Sequence, residues 1–87
     1  MRLLSQDGTT NVPFDQAIVR VEYDGENEHR ICVRMIGDLK WIVMAQYEKD
    51  YQATFAIKMM NLKYNTDGIT TYHFPSEQEI QRMMGKV

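Results

Sequence analysis

Cys32 is the only cysteine of the chain, and its thiol is the strongest nucleophile that the sequence offers. It falls in the middle of an alternating apolar segment that predicts a β-strand. Arg34 lies two residues further along the same face, and the strand register argued below places Arg20 across from Cys32. Neighbouring positive charge lowers the pKa of a thiol and makes it reactive. A lone cysteine in a strand is more often a small apolar filler, and we favour that interpretation.

His29 and His73 are the only histidines, and neither has a second ligand at the spacing that metal sites require. We therefore expect no metal and no cofactor. Three acidic pairs could act as acid–base dyads: Glu22/Asp24, Glu26/Glu28 and Glu77/Glu79. The first two pairs flank a predicted turn, and the third falls in the first turn of a predicted helix, where negative charge complements the helix dipole. The sequence also contains no glycine-rich phosphate loop and no nucleophile elbow, so it favours a protein that is not an enzyme.

The elements that carry these residues begin with a short hairpin. Asp7-Gly8 predicts a turn after the apolar start of the chain, and Pro13 predicts an edge position for the segment that follows. The segment 17–23 then alternates, with Ala17, Val19, Val21 and Tyr23 predicted on the core face. A turn at 24–27 leads into a returning strand, residues 29–36.

The register of this second hairpin follows from its apolar pattern. An odd-numbered loop pairs Val21 with Ile31, and by extension Val19 with Val33 and Ala17 with Met35. The same register sets Glu22 opposite Arg30 on the outer face as an exposed ion pair.

A third strand is predicted over residues 40–47 after the turn at Gly37-Asp38. Its continuous apolar run, Trp41 to Ala45, is typical of a strand covered on both faces, so we expect it to be the central strand. Residues 69–74 are expected to extend the meander. The predicted fold class is α+β: an antiparallel sheet of about four to six strands, packed on one face by a helix at about 48–64, with a short C-terminal helix at about 76–84.

The 48–64 helix carries more apolar surface than one contact can cover. Laid out at about 100° per residue, it separates two apolar stripes. The first, expected to face the core, contains Ala53, Ala56, Ile57, Met60 and Tyr64. The second, called here the helix stripe, contains Tyr51, Phe55, Met59 and Leu62. Either a second copy of the chain covers the helix stripe in a twofold dimer, or the C-terminal helix or the N-terminal hairpin covers it within one chain.

The C-terminal helix has the clearest local signals. Ser76 is the predicted N-cap and Glu79 its capping-box partner, while Ile80, Met83 and Met84 form an apolar face.

Size and composition restrict the function classes. With 87 residues and a hydrophobic fraction of 44%, we expect a single α+β domain over residues 1–87. The longest apolar run is far shorter than a membrane span, and one cysteine fits a reducing compartment, so we predict a soluble cytoplasmic protein without membrane contact. A net charge of −2, with basic residues spread along the chain, disfavours nucleic acid. Six methionines beyond the first, and the aromatic residues, are interpreted mainly as core fillers.

Four short segments resemble small proteins of phages, prophages and mobile elements of Gram-positive (Firmicute) bacteria. They are the start Met1–Gly8, the Val12-Pro13-Phe14 segment, Met44-Ala45-Gln46-Tyr47, and the ending Phe74–Ile80. That group has a start like MRLISQDG and an ending like FPxxEEI. This chain departs from it in the less charged segment 51–56 and in residues 26–29, which lengthen the second hairpin. The resemblance implies a cytoplasmic protein of bacterial or phage origin and implies no particular activity.

These observations favour binding over turnover. The leading hypothesis is a non-catalytic protein-interaction module that forms a homodimer through the helix stripe and binds an unidentified protein partner. One alternative is a phage-encoded inhibitor of a host protein. Another is a protein that binds single-stranded nucleic acid through its sheet face.

Overall fold

The computed structural model describes residues 1–23, 25, 28–66 and 70–85. Within them the elements follow in the order β1 (Arg2–Leu4), β2 (Asn11–Pro13), β3 (Ala17–Tyr23), β4 (His29–Met35), β5 (Ile42–Tyr47), α1 (Asp50–Tyr64), β6 (Thr71–His73) and α2 (Glu77–Met83). A turn of 3-10 helix, Phe14–Gln16, joins β2 to β3. The predicted α+β class is confirmed.

The described strands form two three-stranded sheets. In the first, called here the meander sheet, β4 lies between β3 and β5, and both pairings are antiparallel. In the second, β1 lies between β2 and β6, antiparallel to β2 and parallel to β6. Pro13 ends the edge strand β2, as predicted, because a residue without an N–H cannot donate to a sheet ladder.

The predicted register of the second hairpin is confirmed along its whole length. Val21 lies opposite Ile31, and Glu22 lies opposite Arg30. Since side chains alternate with a period of two, this register places all odd-numbered residues of β3 and β4 on one face of the sheet and all even-numbered ones on the other. The odd-numbered side is called here the inner face and the even-numbered side the outer face.

The prediction that residues 40–47 form the central strand is wrong, because β4 occupies that place. The apolar run has another cause. The pairing of β5 with β4 shifts between Ile31 and Cys32, so that Met44 is an extra residue in the ladder. Both Met44 and Ala45 are buried at this bulge, and the run is therefore continuous without being covered on both faces.

The meander is also shorter than predicted, since β6 does not extend it. Residues Thr71–His73 pair with β1 instead, and Arg2 donates its N–H to the carbonyl of Thr70 at 2.8 Å. Residues 67–69, between α1 and β6, lie outside the described residues, as does most of the predicted turn at 24–27.

The core lies on the inner face, where α1 packs against β4 and β5. From α1 it takes Ala53, Ala56 and Met60, as predicted, whereas Tyr64 is half exposed and its ring contacts that of Phe14. The methionines are used largely as core fillers: Met44 and Met60 are buried, and Met35, Met59 and Met84 pack partly buried against the core. In the described residues no helix is long and apolar enough to span a membrane.

α2 begins with the predicted capping box. The backbone N–H of Glu79 donates to Ser76 Oγ at 3.1 Å, and the backbone N–H of Ser76 donates to Glu79 Oε1 at 3.1 Å. Hydrogen bonds from the backbone N–H and the side chain of Ser76 hold the pKa of the Glu79 carboxyl below its usual range. Ile80 is fully buried in the core and Met84 packs partly buried against it, so these two side chains anchor the short helix.

Candidate interaction surface

The structure places Cys32 where the register predicted, in the middle of β4 and directly opposite Arg20. Its side chain is 2% exposed, and burial raises the pKa of the thiol, with a further contribution from Glu22 that outweighs the opposite effect of Arg20 and Arg30. The thiol is therefore protonated at neutral pH, the reverse of what a nucleophile needs. Cys32 acts as a buried filler.

The two histidines lie in different sheets. His29, at the start of β4, is 8% exposed, and its ring contacts that of Tyr23 at 4.8 Å between centroids. Its Nδ1 is buried and has no hydrogen-bond partner among the described residues. His73 is exposed on β6, with Nε2 at 3.3 Å from the carbonyl oxygen of Gln6. Among the described residues no three His, Cys, Asp or Glu side chains approach closely enough to hold a metal ion.

The acidic pairs are divided among separate structural contacts. Glu77 Oε1 accepts the N–H of Glu48 at 2.8 Å, and Glu79 completes the capping box of α2. Glu22 accepts from Arg20, two residues along its own strand, and Glu28 accepts from Arg30. Asp24 and Glu26 lie outside the described residues.

The outer face of the meander sheet collects basic and aromatic groups that are scattered in the sequence. The guanidinium of Arg20 lies 3.8 Å from the ring centroid of Trp41, and that of Arg34 lies 5.3 Å from it. Arg30 shares this face by alternation along β4. The alternation of side chains along β3 and β4 predicts that the arginines share one face. Nothing in the sequence predicts that Trp41 lies beside them, because its position depends on the turn before β5. The prediction that Trp41 packs in the core is wrong, whereas it is confirmed for the buried Tyr47 and Tyr72.

The helix stripe is partly covered within the chain. Phe55 and Met59 are half buried against the core, and the Tyr51 hydroxyl accepts a hydrogen bond from Gln81 of α2 at 2.7 Å. Leu62, at the other end of the stripe, is 61% exposed. α2 therefore lies along the N-terminal part of the helix stripe, whereas the C-terminal end of the stripe is exposed to solvent.

A further surface, which sequence reasoning did not identify, is the free edge of β3. The backbone N–H of Ile36 donates to the carbonyl of Gln16 at 2.9 Å, and in the β3–β4 register these two residues are opposite each other. Hydrogen-bonded pairs alternate with non-hydrogen-bonded pairs in an antiparallel ladder, so the even-numbered residues of β3 bond to β4. Val19, Val21 and Tyr23 therefore direct their backbone N–H and C=O groups away from the sheet, and no described strand lies there.

The same odd-numbered residues were predicted to face the core, and this is only partly correct. Ala17 and Val19 pack partly buried against the core, but Val21 is 44% exposed and Tyr23 63%. The cause is the position of α1, which covers β4 and β5 and leaves the inner side of β3 open. A groove of about 340 Å³ remains between β3 and α1. Its apolar lining consists of Phe14, Ala17, Val19, Val21, Ile57 and Met60.

A second depression, of about 550 Å³, lies between the first turns of α1 and α2. Its polar groups bond to one another: Glu77 accepts from the backbone of Glu48, and Gln81 donates to Tyr51. Its charges are mixed, with Lys49 and the nearby Arg82 offsetting the two carboxylates, so it does not select a ligand of one charge.

Searches against known protein families, curated proteins and solved structures find no match for this chain. Of the surfaces described above, the free edge of β3 combines exposed apolar side chains with backbone groups that have no partner among the described residues.

Proposed function

We propose that this chain is a non-catalytic protein-interaction module that binds its partner by strand addition at β3. The observation that carries the proposal is the open edge itself: Val19, Val21 and Tyr23 present backbone donors and acceptors to the solvent from a seven-residue strand. An extended segment of a partner can add to such an edge, with main-chain hydrogen bonds supplying affinity and alternate side chains supplying specificity. A phage-encoded inhibitor of a host protein would be one form of this module.

The other edge of the meander sheet provides an internal comparison. At β5, the backbone N–H of Gln6 donates to the carbonyl of Met44 at 2.7 Å, and the side-chain oxygen of Gln6 accepts the N–H of Gln46 at 3.1 Å. The β1–β2 turn thus covers that edge. Natural proteins protect exposed edges with lysines, prolines, bulges or covering loops. β3 contains no lysine and no proline, and its pairing with β4 has no bulge.

The groove beside β3 supports the same proposal. A strand added at this edge would place every second side chain on the inner face, next to Val19 and Val21 and over the gap that α1 leaves. Burial of apolar surface in the groove would add to the main-chain hydrogen bonds. The preferred ligand is therefore an extended segment with alternating apolar residues.

A library of displayed ten-residue peptides with alternating apolar positions tests the proposal. Measured on the chain in dilute, monomeric solution, the selected peptides should slow amide hydrogen exchange at Val19, Val21 and Tyr23, because these N–H groups become bonded. Val21→Pro removes an outward N–H without removing a bond to β4 and should abolish binding. Val21→Thr keeps the N–H and is the matched control, which should still bind. Failure to select any peptide, or equal binding by the Val21→Pro variant, would overturn the proposal.

Dimerisation through the helix stripe is a second candidate, favoured by the exposure of Leu62. Leu62→Glu should then convert a dimer to a folded monomer in a light-scattering measurement of mass. A wild-type monomer, or a dimer that this substitution leaves intact, would rule out this contact.

Binding of single-stranded nucleic acid through the outer face is a third candidate, favoured by the proximity of the Trp41 ring to Arg20 and Arg34. Base stacking on the ring should quench its fluorescence when an oligothymidylate is added at low salt, and the affinity should fall steeply as salt is raised. Glu22 and Glu28 offset the positive charge of this face and weigh against the idea. An unchanged Trp41 spectrum at low salt would exclude it.

A further inference from the structure

We propose that the occupant of the β3 edge is a second copy of this chain, paired antiparallel about a twofold axis that passes through Val21. The inference rests on the proposed strand addition and names its partner. It follows from the hydrogen-bonding parity of β3, from the charges on its outer face and from the apolar side chains on its inner face.

Parity restricts the registers that two copies can adopt. Since only the odd-numbered residues of β3 have outward backbone groups, odd-numbered residues must pair with odd-numbered ones across the interface. A twofold axis perpendicular to the sheet then passes through one residue, and the four central choices are Val19, Arg20, Val21 and Glu22. All four keep the inner side chains of both copies on one side of the joined sheet.

Charge selects among these four. An axis through Arg20 sets two arginines face to face, and an axis through Glu22 does the same with two glutamates, which destabilises a strand pair. An axis through Val19 leaves the charges of Arg20 unmatched and runs the pairing into the 3-10 turn Phe14–Gln16. An axis through Val21 sets Arg20 of each copy opposite Glu22 of the other.

The charge arrangement at the Val21 axis is self-complementary. Within one chain Arg20 already bonds to Glu22 at 2.5 Å. In the joined sheet Arg20 and Glu22 of the second copy form a non-hydrogen-bonded pair, the closer of the two pair types, with Cα atoms about 4.5 Å apart. The four charges then alternate in sign around the twofold axis, so that each has opposite charges along its strand and across the interface.

The inner face is complementary in the same register. Val21 meets its own copy, and Val19 lies opposite Tyr23 of the second copy. Tyr23 is the most exposed apolar side chain of β3. In this register Tyr23 of each copy lies beside the groove between β3 and α1 of the other copy. Two such aromatic–β-branched pairs, one on each side of the axis, are among the favourable cross-strand combinations. The register that matches the charges therefore also covers the open part of the inner face.

Charge reversal followed by mixing provides a direct test, with mass measured by sedimentation equilibrium. Arg20→Glu or Glu22→Arg alone sets like charges across the interface, and we expect each to raise the dimer dissociation constant about tenfold. An equimolar mixture of the two variants restores opposite charges at every cross-strand position, so the mixture should dimerise like the wild type. The intrachain pair is broken in both variants, and mixing cannot restore it. Recovery on mixing therefore reports contact between chains.

Val21→Pro should give a folded monomer, and Val21→Thr, its matched control, should remain a dimer. Arg20→Gln removes the charge without reversing it and should weaken the dimer less than Arg20→Glu does. It replaces Arg20→Glu in the test if that variant does not fold.

Three outcomes would overturn the inference. One is a wild-type monomer at concentrations up to about 1 mM, where even a weak contact would be populated. The second is a dimer that Val21→Pro leaves intact, and the third is a pair of charge variants that stay monomeric when mixed. If the chain is monomeric but peptides still bind in a manner sensitive to Val21→Pro, strand addition holds and only the identification of the occupant as a second copy is wrong.

Discussion

The carbonyl group of Pro75, at the entry to α2, accepts two hydrogen bonds from distant parts of the chain. Tyr47 donates through its hydroxyl at 2.6 Å, and Gln6 donates through its side-chain amide at 3.2 Å. Pro75 and Tyr47 are buried, and burial raises the pKa of the tyrosine, so its hydroxyl is a permanent donor. We expect Tyr47→Phe and Gln6→Ala to be coupled, because each variant leaves the carbonyl with one donor and the double variant leaves it with none.

The magnitude follows from the difference between losing a hydrogen bond and orphaning a buried acceptor. Each single substitution should lower the free energy of unfolding by about 0.5–1.5 kcal/mol, the usual net value of one bond. The double variant also leaves the Pro75 carbonyl unsatisfied, at about 1–3 kcal/mol. The coupling energy should therefore be at least about 1 kcal/mol. Gln6→Ala also removes the acceptor of the Gln46 N–H, but that loss is common to the single and double variants and cancels in the cycle.

Urea unfolding followed by the fluorescence of the single tryptophan, Trp41, supplies the four free energies. Tyr72→Phe is the matched control. Its hydroxyl is also buried and donates to the carbonyl of Ala56 at 2.8 Å, and it shares no partner with Gln6. Tyr72→Phe and Gln6→Ala should be additive to within about 0.5 kcal/mol. If Tyr47→Phe and Gln6→Ala are equally additive, the reasoning about a shared carbonyl is refuted.

Three further predictions concern groups whose surroundings are well defined. Hydrogen bonds from Ser5 and Thr9 lower the pKa of Asp7 from 3.8 to about 2. The stability that this carboxylate contributes is therefore present above pH 4 and lost as the pH falls toward 2. The difference in free energy of unfolding between wild type and Asp7→Asn, measured in urea, should shrink over that range. A constant difference would contradict the lowered pKa of Asp7. The buried thiol of Cys32 should react with a thiol reagent only at the rate of global or local opening, accelerated by urea, and rapid labelling of the native chain would show that it is accessible. His29→Phe should raise the free energy of unfolding by roughly 1 kcal/mol, because the unpartnered Nδ1 is removed from the interior, whereas a loss of that size in thermal or urea unfolding would reveal a partner.

The parts of the fold that the sequence predicts well are those with local signals. The β3–β4 register follows from matching Val21 with Ile31, since a one-residue slip would move every apolar side chain to the other face. The capping box of α2 follows from the spacing of Ser76 and Glu79 alone. These features depend on neighbours that are close along the chain.

The parts that could not be predicted depend on distant contacts. β6 is three residues long, and nothing in it indicates a parallel pairing with β1 at the other end of the chain. The apolar run in β5 resembles that of a central strand because a bulge turns both Met44 and Ala45 inward. The strand order depends on such pairings, which short segments do not specify.

The candidate site falls between these two cases. The sequence identifies which residues of β3 share a face, but their burial depends on where α1 crosses the sheet, and α1 leaves Val21 and Tyr23 uncovered. The helix stripe was predicted instead because its apolar surplus is visible in the helical period, whereas an unpaired strand edge is not visible until the strand order is known. Leu62 is the part of that stripe that α2 does not reach.

The free edge of β3 is more narrowly specified than an exposed strand usually is. Its outward backbone groups and its apolar side chains belong to the same odd-numbered residues. A one-residue shift between two paired copies would therefore lose the hydrogen bonds and also set the charges of one copy on the apolar side of the other. Allowed registers are thus two residues apart, and the opposite charges of Arg20 and Glu22 distinguish among them. An edge selected only for solubility needs charges but no particular order of signs. The order found here, with Val21 between the two charges, is the one that makes the strand complementary to itself.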